Sequence, residues 1–461
     1  MVANSLKEVV SLAKRRGFIF PASEIYGGFA NTYSYGPLGA QLKKNIRDLW
    51  WNFFVEQRQD MYGLDGPILL HPKVWHASGH VAGFSDALTD CKECKARLRV
   101  DHLIENATGQ DAEGLDLAQM DAIIIASKIN CPKCGKHNWT NARQFNLMFK
   151  TSRGLIEDQD SAAVFMRPET AQAIFIEFKN ICDSSRARLP FGIAQIGKAF
   201  RNEITPGNFT FRTIEFEQME IEYFVKEENW QESFNTWLEK MHEFTKLIGL
   251  PSDLITEAEH PSDKLSHYSK RTVDLEFAFP FGTSELYGLA YRTDFDLNAH
   301  QEASGKNLLY TDPMTNEKFL PHVIEPTFGL DRTILALLCA AYEVETLEDG
   351  SQRTLLRLQP KIAPVQVAVF PLMKKEPLLE KADTVYHLLR QQGYRLDFDT
   401  AGAIGKRYRR QDEIGTPFCV TIDYDSLEDE SVTVRKRDTM VQTRVKIEDI
   451  NTFLKTDFTL V

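Results

Sequence analysis

An apolar run ends near residue 200 in Phe200-Arg201-Asn202-Glu203, and after a short polar loop with a Pro206-Gly207-Asn208 turn the chain returns as Phe211-Arg212-Thr213-Ile214-Glu215-Phe216-Glu217-Gln218-Met219-Glu220. The returning segment alternates apolar and polar residues, the period of a strand with one buried face, which predicts a hairpin with Arg201 and Glu203 at the end of its first strand. Such a hairpin suits a nucleotide. Arg201 offers a phosphate a fixed fork of donors, Glu203 accepts from an amino group, and Phe216 presents a flat face to a base. Taken alone, the same residues are equally those of an ordinary hairpin with a surface ion pair.

Length and charge narrow the frame. The 461 residues leave room for about two to four domains, and 43% apolar residues suffice for ordinary cores. Met1 to Gly17 has no apolar signal region, and no apolar run approaches membrane-spanning length, which predicts a cytoplasmic protein without a membrane partner. A formal charge of -11 speaks against a nucleic-acid partner, because phosphate contacts need lysine and arginine. The deficit is uneven. Residues 361–461 hold 16 basic and 16 acidic side chains, so all of it belongs to residues 1–360. Base is concentrated in the tail at Lys406, Arg407, Arg409, Arg410 and at Arg435, Lys436, Arg437. A solvated helix face is the plainest reading of such clusters.

Along the chain, Leu42, Ile46, Leu49, Trp50, Phe53 and Phe54 recur at helical spacing and predict an amphipathic helix over Ala40–Gln59. Residues 85–151 read as an insertion, in which Cys91-Lys92-Glu93-Cys94 and Cys131-Pro132-Lys133-Cys134 bracket a helical stretch, Asp116–Lys128. Two such pairs can complete a tetrahedral, structural Zn²⁺ site; four reduced structural thiols are the alternative. Residues 1–84 and 152–346 form an α+β body, 347–360 a polar linker ending in proline, and 361–461 a smaller α/β domain with a mixed sheet.

Gly329-Leu330-Asp331-Arg332 opens an apolar helix, Thr333–Tyr342. In order, a long helix, a strand with a proline (Pro67 or Pro72), an Arg-Glu hairpin and Gly-x-x-Arg on a helix resemble the class II aminoacyl-tRNA synthetases. Closer strings resemble the glycyl-tRNA synthetases of the homodimeric type: Arg167-Pro168-Glu169-Thr170-Ala171-Gln172, Glu285-Leu286-Tyr287-Gly288, Arg292-Thr293-Asp294 and Val323-Ile324-Glu325-Pro326-Thr327-Phe328-Gly329. The resemblance implies a class II catalytic domain, an antiparallel sheet flanked by helices, and a C-terminal anticodon-binding domain. It also implies a homodimer that uses ATP and Mg²⁺ to join glycine to glycine tRNA. The catalytic set would be Arg201, Glu203 and Arg332. ATP would be held by these with Asn202, Phe211, Arg212, Phe216, Glu285, Leu286, Glu325 and Gly329. Adenine would lie between Phe216 and Arg332, Arg201 would take the α-phosphate, and Glu285 and Glu325 would serve the metal and nucleotide side.

For glycine the resemblance implies Arg99, Glu169, Phe216, Gln218, Glu220, Arg292, Glu325, Thr327 and Gly329. The chemistry is coherent, since a substrate without a side chain offers only an ammonium, a carboxylate and an absence of bulk. Paired carboxylates suit the ammonium, and an arginine would guide the carboxylate. Thr327 stands where many relatives carry serine; its extra methyl tolerates glycine and disfavours alanine. Adenylate chemistry needs positioning and positive charge but no nucleophile, and the chain contains no phosphate-binding Gly-x-x-x-x-Gly-Lys loop, no His-Glu-x-x-His and no Gly-x-Ser-x-Gly. Threonine, proline or histidine enzymes share such a tail, but the acidic small pocket and the lack of a visible editing domain favour glycine. A non-enzymatic paralogue fits poorly with Arg201, Glu203 and Arg332 all present, and His76-Ala77-Ser78-Gly79-His80 is not the class I signature.

Overall fold

The alternation read from the hairpin is realised as two long strands, Phe191–Phe200 and Glu215–Val225, paired antiparallel from Phe200↔Glu215 to Phe191↔Phe224. The computed structural model describes residues 5–112, 114–153, 163–203 and 207–459. The returning strand begins at Glu215 rather than Phe211. Ahead of it the chain enters a 3₁₀ turn, Phe209–Phe211, through Asn208 and Phe209, which both have left-handed backbones (φ 57° and 59°). Pro206, expected in this turn, lies outside the described residues.

These strands sit within a seven-stranded sheet. Its order is Ile255–Glu259, Arg271–Phe279, Gly282–Thr293, His322–Gly329, Glu215–Val225, Phe191–Phe200 and Met61–Gly63, antiparallel except for the last pair. The period of two sorts Glu215–Val225 cleanly. Met219, Ile221 and Tyr223 join the main apolar core with Trp50, Phe54, Trp237 and Phe328. Gln218, Glu220 and Glu222 take the opposite face, where Phe224 packs with Phe175 and Phe178 of the helix Ala171–Ser185. One face of the sheet is therefore a dry core and the other holds buried charge.

The predicted first helix spans Pro37–Trp51 and runs on as a π-helical turn, Asn52–Glu56. Pro37 occupies its first turn, where the missing N–H costs nothing. Leu42, Ile46, Trp50 and Phe54 are all fully buried against the sheet, and each such burial contributes about 1.5–3 kcal/mol or more. Pro72 opens the helix Pro72–Ala77, so Pro67, in extended chain beyond Met61–Gly63, is the proline on the strand side.

The insertion folds around a three-stranded sheet, Arg97–Arg99, Ser85–Asp90 and Arg143–Asn146, with helices Val100–Thr108 and Leu117–Ala126. Asp116 and Gln119 form a reciprocal capping box at the second helix.

Residues 347–360, read as a polar linker, are corrected by the structure. Tyr342–Thr346 and Gln352–Leu356 pair as a hairpin, and Leu355, Leu356 and Leu358 are buried. The stretch looks polar because it carries Arg353, which is itself buried between Asp412 and Glu345. Beyond it the tail forms a five-stranded mixed sheet, Leu396–Phe398, Val367–Pro371, Phe418–Ile422, Ser431–Lys436 and Gln442–Lys446, with helices Glu376–Gln391 and Ile404–Ile414.

Candidate active site

The open end of the hairpin, the start of the helix Leu330–Ala341 and the strand Gly282–Thr293 enclose a solvent-open cleft of about 850 Å³. Arg201, Glu203, Phe211, Arg212, Phe216, Gln218, Glu285, Leu286, Thr327, Gly329 and Arg332 line it, which brings together eleven of the sequence-predicted residues. Arg201 is poised by its surroundings. Its guanidinium lies 5.2 Å from the Phe216 ring and 5.3 Å from the Phe84 ring, and Nε donates to the Pro168 carbonyl at 3.1 Å. Arg332 lies 4.5 Å over Phe211 and pairs with Glu285 at 2.9 Å; its charge holds the Glu285 carboxyl below the usual carboxylate range. Arg332 thus rests on Phe211, and Arg201 rests on Phe216. Asn202 is fixed by its backbone, whose N–H donates to the Leu147 carbonyl of the insertion at 2.7 Å.

Part of the cleft wall is a second network that sequence reasoning missed. Asp331 accepts from Tyr35 Oη, from Lys43 Nζ at 3.2 Å and from the Glu217 backbone N–H at 2.7 Å, while Glu217 also pairs with Lys43 at 3.1 Å and Arg47 at 3.2 Å. Asp331 lay within the quoted Gly-Leu-Asp-Arg string, but Tyr35, from the short strand Tyr33–Tyr35, and Lys43, from the helix Pro37–Trp51, lie almost 300 residues earlier, and no spacing announces that.

Beneath the cleft, carboxylates gather on the inner face of the sheet. Glu220 accepts from Thr170, through backbone N–H at 2.9 Å and through the hydroxyl, and from Gln218 Nε2 at 2.7 Å. Burial and the nearby Glu169 raise its carboxyl above the usual range. Glu169 accepts from Gln172 at 2.9 Å and faces His80 Nε2 at 3.3 Å. Although burial opposes it, the charges of His80 and Arg292 and these hydrogen bonds keep it well below the usual range. His80 belongs to the string set aside as a failed class I signature. Thr327 lies directly opposite Glu220, and Gly329 opposite Gln218, so cleft and carboxylates share two cross-strand pairs.

Three of the expected site residues are engaged by other side chains. Arg292, expected with Arg99 in the glycine site, is 2% exposed and committed: it forms a fork with Asp296 at 2.8 and 3.0 Å, and its Nη1 donates to both oxygens of Glu325 at 2.9 and 3.0 Å. Glu325, expected on the metal and nucleotide side, is held there below the cleft and does not line it. Arg99 is also occupied, by Asp86 at 3.2 Å and Asp101 at 2.5 Å, on the insertion.

Three family models match this chain. Residues 149–341 match the family model "tRNA synthetase class II core domain (G, H, P, S and T)", residues 107–147 "Glycyl-tRNA synthetase insertion domain 1" and residues 366–457 "Anticodon binding domain". Glycine–tRNA ligases of Alkaliphilus oremlandii and Caldanaerobacter subterraneus subsp. tengcongensis are each 52% identical, with 98% of both chains covered. The chain belongs to the glycine–tRNA ligase family. Among solved structures, the prolyl-tRNA synthetase of Cryptosporidium parvum, complexed with halofuginone and AMPPNP, superposes with a TM-score of 0.64 at 14% identity, covering 97% of this chain and 75% of that one. At that identity the likeness is one of fold.

In this member of the glycine–tRNA ligase family the four insertion cysteines converge. Their sulfurs lie within 4.8 Å of one another, with Cys91 to Cys134 and Cys94 to Cys131 each at 3.6 Å. Tetrahedral zinc, bonded at about 2.3 Å, sets its sulfurs about 3.8 Å apart, so the cluster fits that ion. Each Cys-x-x-Cys turn closes through a left-handed residue, Lys95 (φ 59°) or Gly135 (φ 71°). In the tail, the basic group divides. Arg407, Arg435 and Arg437 are buried and bonded internally, Arg407 to the Pro371 and Gly402 carbonyls and Arg435 to Asp412. Lys406, Tyr408 and Arg409, with Gln442, line an open groove that Arg435 also reaches.

Proposed function

We propose that the protein is a glycine–tRNA ligase: it joins glycine to the α-phosphate of ATP, releasing pyrophosphate, and passes the glycyl group to the 3′ end of glycine tRNA. The observation that carries this reading is the juxtaposition of an arginine-lined cleft with buried carboxylates across the Gln218↔Gly329 and Glu220↔Thr327 pairs. In the first step a glycine carboxylate oxygen attacks the α-phosphorus and the bond to the bridging oxygen breaks. Arg201 stabilises the charge that develops on the α-phosphate, and its sandwich between Phe84 and Phe216 means it needs no reorganisation to do so. Glu203 accepts from the adenine amino group, Phe216 and Arg332 bound the base, and Arg212 with Arg332 faces the outer phosphates.

On the amino-acid side Glu220, presented by Thr170 and Gln218, and Glu169 take the ammonium. Arg292 acts indirectly by fixing Glu325. Thr327 crowds any β-carbon, so exclusion by size replaces editing. Mg²⁺, when bound, neutralises triphosphate charge; Glu285, half-exposed on the cleft wall, suits it, whereas Glu325 does not. In the second step the terminal tRNA hydroxyl attacks the glycyl carbonyl and AMP leaves, while the tail engages the anticodon.

We further infer structural zinc at Cys91, Cys94, Cys131 and Cys134, a homodimer and a cytoplasmic location. Exposed Ile68 and Leu69 beside Pro67 support a subunit contact there, and the unpaired thiols suit a reducing compartment. Among the described residues no helix is long and apolar enough to cross a membrane. Exchange of labelled pyrophosphate into ATP, measured with each of the twenty amino acids, tests the activity. Exchange is expected with glycine alone, and a preference for any other amino acid overturns the assignment.

A further inference from the structure

Arg167 opens the Arg-Pro-Glu-Thr-Ala-Gln string, touches neither the cleft nor the carboxylates, and is 3% exposed. Its side chain bonds backbone on two sides. Nε donates to the Lys198 carbonyl at 2.6 Å, and Nη1 donates to the carbonyls of Gly66 at 2.8 Å and Pro67 at 3.4 Å. Its backbone does the same in miniature: the N–H donates to Ile68 at 3.3 Å, and the carbonyl accepts from Phe200 at 2.9 Å. One residue therefore ties the extended segment after Met61–Gly63 to the strand that delivers Arg201.

The strand makes room for this. A β-carbon added at Gly197 would stand 2.1 Å from Nη2 of Arg167, so only glycine lets the guanidinium lie across the strand there. The next residue, Pro168, supplies the carbonyl that receives Arg201 Nε at 3.1 Å, and that hydrogen bond fixes the orientation of the Arg201 fork. Three residues beyond Arg167, Thr170 presents Glu220. The clamp thus lies upstream of both halves of the site.

We propose that Arg167 is the positioning residue for Arg201: a buried guanidinium that grips Lys198 and Gly66–Pro67 at once and thereby holds the Pro168 carbonyl on which the phosphate arginine is aligned. The inference rests on the reading of Arg201 as the α-phosphate ligand. Lysine cannot replace the clamp, because a single ammonium lacks the planar fork that reaches two backbone strands in fixed directions. Misplacing a phosphate ligand by a fraction of its length affects the transition state more than the ground state, so kcat should fall while both KM values hold.

The test is glycine-dependent pyrophosphate exchange by the full-length protein carrying Arg167→Lys, Gly197→Ala, Arg201→Lys, and each of the first two combined with Arg201→Lys. Arg167→Lys and Gly197→Ala are each expected to lower kcat by about tenfold or more with the KM for glycine and ATP within about threefold. Because the clamp acts through Arg201, adding either change to Arg201→Lys should lower kcat by less than about threefold further. Should Arg167→Lys not fold, Gly197→Ala completes the same cycle. Wild-type kcat in the clamp variants, or losses that multiply with an impaired Arg201→Lys, would overturn the clamp and leave the phosphate reading standing. Wild-type exchange by Arg201→Lys itself would overturn the phosphate reading, and the clamp with it.

Discussion

Glu222 shows how residue-scale physics survives beneath a site whose other members are paired. It is fully buried, and among the described residues neither carboxylate oxygen has a hydrogen-bond partner. The register that sets Glu220 opposite Thr327 and Tyr223 opposite Ile324 puts Glu222 across from Glu325. Burial and the charge of Glu325 raise the Glu222 carboxyl well above the usual range. The linkage has a definite sign. A raised folded value means the unfolded chain releases this proton first, so the stability Glu222 contributes is complete below about pH 4.3 and declines as pH rises, by at most about 1.4 kcal/mol per pH unit for one proton. Glu222→Gln removes that dependence. Its unfolding midpoint, measured against wild type from pH 4 to pH 8, is expected to gain steadily with pH; a constant offset would show that Glu222 is ionised in the fold. The period of two placed Glu220 and Glu222 together on the face opposite Met219, Ile221 and Tyr223, but a strand with one buried face would leave them in solvent, and the structure buries both. What surrounds them was not legible, because Thr170, which donates to Glu220, and Glu325, which faces Glu222, arrive from other elements and only folding brings them together.

At the scale of elements, periodicity carried most of the reading and failed where a charged side chain is buried. The helix Pro37–Trp51 and the tail strands followed their apolar spacing closely. The hairpin Tyr342–Leu356 did not, since Arg353 makes a strand look like a polar connector although it bonds Asp412 at 2.8 Å and the Arg437 carbonyl at 2.5 Å. The insertion was the reverse case. Its two Cys-x-x-Cys turns predicted a metal site across a separation longer than usual, and the intervening helices Val100–Thr108 and Leu117–Ala126 pack into a small core of their own that returns the second turn to the first. Purified protein is therefore expected to carry close to one zinc per chain by elemental analysis. Cys131→Ser should release it and lower the protease resistance of residues 85–151 before that of the seven-stranded sheet. Metal-free wild-type protein with the same resistance would leave the cysteines as plain structural thiols.

For the whole molecule, catalysis and recognition of tRNA are divided between bodies that the Arg353 and Asn45 contacts join. Asn45 of the long helix donates to the carbonyls of Ile362 at 2.9 Å and Ala363 at 3.2 Å, and Ile362, Ala363 and Val365 belong to the catalytic core. The functional tail thus begins after these residues, close to residue 366 where the anticodon-binding match starts, and not at 361. Its charge is also less available than composition suggests. Asp412 is fully buried and is shared by Arg353, Arg435 and Arg409, while Arg407 is spent on backbone carbonyls and Arg437 on the Leu358 and Gly415 carbonyls and the Asp438 carboxylate. Lysine and arginine look alike in sequence whether they face RNA or brace a strand, and only burial separates them. The groove lined by Lys406, Tyr408, Arg409 and Gln442 keeps an exposed lysine, a half-exposed arginine and an aromatic ring together, the combination that holds a single-stranded loop by charge and stacking. Replacing Lys406 by Glu and Arg409 by Gln in one protein should lower kcat/KM for charging glycine tRNA by about tenfold or more and flatten its dependence on salt, since fewer counterions are released on binding. Pyrophosphate exchange, which needs no tRNA, should stay within about twofold of wild type. Equal loss of both activities would mean that the tail tunes the cleft through the Arg353 hairpin, and unchanged charging would mean that the anticodon is met on another face.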